Sequence, residues 1–193
     1  MRHGLALASL LLLVAPAQAQ TVFEGRYGFG TEYRFVDLSH TFKGGLVLDA
    51  LYTGVPGTNE LYLGVGHQWK PAAGVIITPM AYAVFGKENE EAGVTLGALL
   101  AIDRGGFRSV GFLGHFIRID GEVPAYDFAD AVDLTRVIGR GEIGVSTGFF
   151  HSQGAWAWLV GPTLKWNDAH GSWAASARFG DDTEIRVLRV FVF

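Results

Sequence analysis

Nine ionisable side chains fall on the smaller, more polar face of alternating segments: Glu24, Arg26, Glu32, Arg34, Asp49, His115, Glu142, Lys165 and Arg178. An isolated interior charge is costly, whereas opposite charges that meet are tolerated. Four acids against four bases, with His115 beside them, therefore predict an interior ion-pair network. The same residues would also serve as the polar lining of a narrow pore or a ligand cavity. His151 and Ser152 are the residue types of nucleophilic catalysis, which needs a histidine within hydrogen-bond reach of the serine and a third group to orient it. Adjacent residues of a strand point to opposite faces, so this pair is not expected to act together. His40, His67 and His170 are scattered without metal-ligand spacing, and no metal or other cofactor is expected. Gly28-Phe29-Gly30 and Gly64-Val65-Gly66 lack the strand–turn–helix setting of a nucleotide loop.

The elements that carry these residues read as strands. In Gly154–Trp166 the even positions hold Trp156, Trp158, Val160, Pro162, Leu164 and Trp166, and the odd positions are mostly small. A membrane strand needs about 9–11 residues, and aromatic rings favour the two membrane–water interfaces. Trp69, Trp156, Trp158, Trp166 and Trp173 are accordingly expected at those interfaces. Alternation recurs in Thr21–Val36, Leu46–Thr53, Leu61–Lys70, Ala92–Ile102, Phe107–Ile119 and Thr183–Phe193. Val75–Phe85 is apolar on both faces, and its Pro79 predicts a bulge or an edge. Lys87–Glu91 is a charged, solvated turn. Asp120–Arg140 mixes both periods.

Facing water, the smaller faces would make a glycine- and alanine-rich surface with few charges, unlike a soluble protein. Facing a crowded barrel interior, they fit, and the Leu, Val, Phe and Trp faces then meet lipid. Composition agrees: 18% charged residues, 13% aromatics and 27 glycines, with no cysteine for a disulfide framework. The formal charge of −4 argues against nucleic acid as a partner. Met1–Gln20 reads as a secretory signal peptide, with Arg2, the apolar run Leu5–Val14 and the cleavage pattern Ala17-Gln18-Ala19. Residues 20–193 then form one β-barrel domain. Eleven candidate strands include a doubtful Tyr126–Val137. Bacterial single-chain barrels have even numbers. Omitting that segment gives about ten strands, the principal expectation. Splitting Thr21–Val36 near Gly30 gives twelve, the alternative.

The chain ends at Phe193, with Phe191, Val187 and Ile185 at alternate positions before it. Ile185–Phe193 resembles the terminal strand signal of Gram-negative outer-membrane barrels, and Thr21–Phe193 resembles small barrels of that kind in general. The resemblance implies an all-β, antiparallel, up-and-down transmembrane barrel in the outer membrane. Its partners would be the lipid bilayer, lipopolysaccharide and the outer-membrane assembly machinery. Arg189 lies on the outward face, where a mid-membrane charge costs about 2–4 kcal/mol. Three functions remain open: a structural or narrow passive channel without an enzymatic site, an outer-membrane lipid hydrolase, and a secreted barrel that binds an apolar ligand. The lipid A deacylase family places its His and Ser two apart on one face, and His151-Ser152 departs from that.

Overall fold

A computed structural model describes residues 19–86, 92–120 and 124–193. The signal-peptide reading of Met1–Gln20 and the charged turn Lys87–Glu91 fall essentially outside them. The chain forms β1 (Gln20–Phe29), β2 (Tyr33–Thr41), β3 (Leu46–Val55), β4 (Thr58–His67), β5 (Trp69–Ala72), β6 (Val75–Gly86), β7 (Ala92–Arg104), β8 (Phe107–Asp120), β9 (Tyr126–Ile138), β10 (Gly141–Ser152), β11 (Ala155–Asp168), β12 (Gly171–Gly180) and β13 (Thr183–Val192).

Apart from β4 and β5, each strand pairs antiparallel with its sequence neighbours, and β1 pairs with β13, Val22 opposite Val192 and Phe29 opposite Ile185. Both β4 and the four-residue β5 pair with β6, so they form one stave interrupted near Gln68. The result is a closed, twelve-stave, up-and-down barrel. Twelve is the alternative count from the sequence, in place of the principal expectation of about ten. Two segments account for the difference: Thr21–Val36 divides into β1 and β2, and Tyr126–Ile138 is a full strand. The break between β4 and β5 lies beside Pro79, which has no N–H to give a ladder and so agrees with the predicted irregularity.

Closure also involves the chain end. Thr21 N–H donates to the Phe193 carbonyl at 3.2 Å, and Phe193 N–H donates to the Thr21 carbonyl at 2.9 Å. The molecule is polar inside and apolar outside. Leu38, Leu63, Leu96, Leu113, Ile143, Leu164 and Ile185 point outward, each about half exposed. Arg178 and Glu184 are each only 2% exposed, and Arg108, Glu142 and Arg186 are buried with them. Burying this many charges is tolerable only where they satisfy one another.

Inward side chains divide the barrel into two regions. Val47, Tyr62, Met80, Tyr82, Val84, Phe116 and Tyr126, with Leu51, Phe112 and Phe128, make an apolar cluster on the side of β3, β4, β6, β8 and β9. Glycines make room for it. A Cβ on Gly64 would lie 2.3 Å from the Tyr82 ring, and one on Gly93 would lie 2.2 Å from Phe116. The other side carries the ion-paired side chains, while Asp49 and Glu60 are held by tyrosines of the cluster itself.

Candidate functional site: a charged lumen

The lumen encloses a cavity of about 660 Å³, lined from nearly every stave. Its charged groups form two networks. Toward the end that carries neither terminus, β1, β12 and β13 supply Arg26, Arg178 and Arg186, and β9 supplies Asp130 from across the barrel. Asp130 accepts from Arg26 and, at 2.7 Å, from Arg186 Nη1; Arg178 Nη1 is 3.8 Å away. Tyr33 of β2 also donates to Asp130, at 3.4 Å. Glu24 accepts from Arg26, while Glu184 accepts from Arg178 Nη2 at 2.6 Å and Arg186 Nε at 2.7 Å. Arg26 lies over the Phe35 ring and Arg186 over the Tyr33 ring, at 4.2 and 4.6 Å.

The second network lies toward the end with the termini. Arg108 donates to Asp103 at 2.9 Å and to Glu142 at 2.6 Å. Thr135 donates to Glu142 at 2.7 Å, and Lys165 pairs with Asp133 at 2.5 Å. On the remaining wall, Tyr82 donates to Asp49 at 2.6 Å and Tyr62 donates to Glu60 at 2.7 Å. Of the nine residues expected inside, Glu24, Arg26, Asp49, Glu142, Lys165 and Arg178 line the lumen.

Glu32, Arg34 and His115 do not. Glu32 sits in the β1–β2 turn at φ 54°, and because Gly28 pairs with Tyr33 across that turn the inward face passes from even positions on β1 to odd positions on β2. After it Tyr33, Phe35 and Asp37 face the lumen, while Glu32 and Arg34 are exposed and lie 4.0 Å apart. His115 is on the outer face of β8, because there the larger face, Arg108, Phe112 and Phe116, turns inward over glycines of neighbouring strands. His115 and His151 flank Asp127, whose carboxylate accepts from their Nδ1 atoms at 2.7 and 3.3 Å. Ser152 Oγ donates instead to the Ala125 carbonyl at 3.3 Å, so His151 and Ser152 form no nucleophile–base pair. Among the described residues, no group of three or more His, Asp or Glu is placed to hold a metal ion.

Asp130, Asp133, Asp37, Glu184 and Arg186 were not singled out by sequence patterning. The first two lie in the stretch of mixed period. Its cause is Ala131, at φ 48°, a bulge that shifts the register of β9 against both neighbours. Asp130 faces inward before the bulge, and Asp133 and Thr135 face inward after it.

Trp69, Trp156, Trp158, Trp166 and Trp173 are all outward, at the two ends of their strands. Trp166 and Trp173 stack with centroids 6.2 Å apart, and Arg189 lies over Trp173 and Phe191 at 5.0 and 4.3 Å. Arg189 also donates to Asp168 at 2.7 Å. It therefore sits paired at the end of the barrel, which removes the mid-membrane cost expected for it.

No family model and no curated protein sequence matches the chain. Among solved structures, it is similar to the KdgM porin in complex with disordered oligogalacturonate, with a TM-score of 0.66 and 12% identity over 90% of this chain and 99% of that one. It is also similar to the NanC porin, with a TM-score of 0.64 and 12% identity over 89% of this chain and 98% of that one. At these identities the likeness is one of fold alone: a small, closed, antiparallel β-barrel.

Proposed function

We propose that the chain is an outer-membrane barrel that passes small solutes through a narrow, charged lumen. The observation that carries this reading is the inside-out distribution of polarity. Apolar side chains girdle the outside, while paired charges and a cavity of about 660 Å³ lie within. In water the exposed girdle would be a large aggregation surface, whereas in lipid it is the expected outer face. The two levels of outward tryptophans fit the two membrane interfaces. The fold shared with two porins supports the passage. The cross-lumen contacts of Asp130 make it narrow.

Two measurements test this. The protein should stay with membranes through a high-salt wash and require detergent for release. Refolded into a planar bilayer, it should give discrete small conductance steps. Recovery in the soluble periplasmic fraction would overturn the membrane part of the reading, and a silent bilayer would overturn the passage.

A further inference from the structure

The charges lining the cavity are not balanced. Ten are carboxylates, and five are cations: Arg26, Arg108, Lys165, Arg178 and Arg186. Every one of those cations already has an acid within ion-pair distance. Five lining acids are used in those pairs: Glu24, Asp130, Asp133, Glu142 and Glu184. The other five, Asp37, Asp49, Glu60, Asp181 and Asp182, have no cation within ion-pair distance among the described residues.

Their placement is asymmetric. Asp37, Asp49 and Glu60 come from the adjacent staves β2, β3 and β4, which contribute no cation to the lining. Tyrosine hydroxyls hold Asp49 and Glu60 at 2.6 and 2.7 Å, fixing the carboxylates without neutralising them. Asp37 and Asp49 meet from adjacent staves and share a hydrogen bond, which takes one proton between the two carboxyl groups. Asp181 and Asp182 stand at the rim, in the turn between β12 and β13. These acids are spread over three staves and a rim, so they set a field along the passage and form no single ion pocket. Counting Asp37 and Asp49 as one charge still leaves nine acids against five bases.

We propose that the passage prefers small cations and cationic solutes, and that Asp37, Asp49 and Glu60 determine that preference. This rests on the reading of the barrel as a passage. Rings and walls of acidic side chains select cations because the low-dielectric wall focuses their field into the water path. The tight ion pairs on the opposite wall contribute dipoles, which decay faster with distance than an unpaired charge. A lumen potential of about −1 kT, at the low end of what protein charge distributions produce, already gives a K⁺ over Cl⁻ permeability ratio of about seven.

The test is the reversal potential of the full-length, refolded protein in a planar bilayer under a KCl gradient. The wild type should reverse on the cation side, with a ratio of about three or more. The D37N/D49N/E60Q variant should move the ratio toward one, and E32Q, outside the lumen, should leave it unchanged. A wild-type channel that prefers Cl⁻, or an unchanged ratio in the triple variant, would overturn the proposal. No current at all would instead refute the passage reading beneath it. The wild-type sign tests the preference itself, and the single variants D49N and E60Q, each of which should lower the ratio, test the residue assignment even if the triple variant fails to fold.

Discussion

Replacing Asp130 by alanine removes the acid that joins β9 to the opposite wall. Its carboxylate serves Arg26, Arg186 and Arg178, whose side chains are 14%, 6% and 2% exposed. After the substitution Arg26 keeps Glu24, and Arg178 and Arg186 share Glu184. Three buried cations then face two acids, and one charge is uncompensated. Removing one partner of a buried pair typically costs about 3–5 kcal/mol. Asp130 is 27% exposed to the lumen, so water offsets part of the loss and the lower end, about 3 kcal/mol, is expected. Asp130→Asn keeps one acceptor oxygen and should lose less. The assay is urea unfolding of the barrel in lipid vesicles, followed by tryptophan fluorescence. The lost bridge should also raise single-channel conductance in the Asp130→Ala barrel. A loss below about 1 kcal/mol with unchanged conductance would show that Asp130 bridges nothing in the membrane and that the lumen is narrowed elsewhere.

Other substitutions probe other parts of the account. Arg26→Ala should destabilise the barrel and raise conductance, since Arg26 stands between Glu24 and Asp130; a stable variant with unchanged conductance would remove it from the constriction. Gly64→Val would push a methyl-bearing Cβ into the Tyr82 ring, and overpacking of this kind costs about 1–3 kcal/mol, measurable in the same urea titration. Arg189→Ala loses a partly buried cation–π contact and an ion pair whose side chains are 13% and 38% exposed, a total of about 1–2 kcal/mol, with no change in conductance. Deleting Phe193 removes both hydrogen bonds that tie the chain end to Thr21. It should lower the yield of heat-modifiable barrel while export stays normal, and equal yields would count against a role for the terminal residue in assembly.

Much of the architecture is legible in the alternation of residues. On β7, β10 and β12 the small face is the inner one, as the crowding argument requires, and the tryptophans point outward near the ends of their strands. What alternation cannot show is a change of phase. The turn that holds Glu32 and the bulge at Ala131 each switch the inward face from even to odd positions. The first placed Glu32 and Arg34 on the wrong side and joined two strands into one. The second made β9 look irregular, and Asp130, which carries most of the cross-lumen bonding, went unnoticed with it. His115 was misplaced for another reason. Whether a large face points in depends on the space that neighbouring strands leave, and Gly93 on β7 clears that space for Phe116. Such complementarity belongs to pairs of strands and has no signature within one.

The most direct measurement for the central claim is swelling of liposomes that contain the refolded protein, with solutes of graded size. A narrow passage predicts rapid swelling in small amino acids and monosaccharides and a steep fall with increasing solute size, because the cross-lumen contacts of Asp130 limit the cross-section. Swelling no faster than protein-free liposomes for every solute would contradict it, and would leave a closed barrel whose ion pairs serve structure alone.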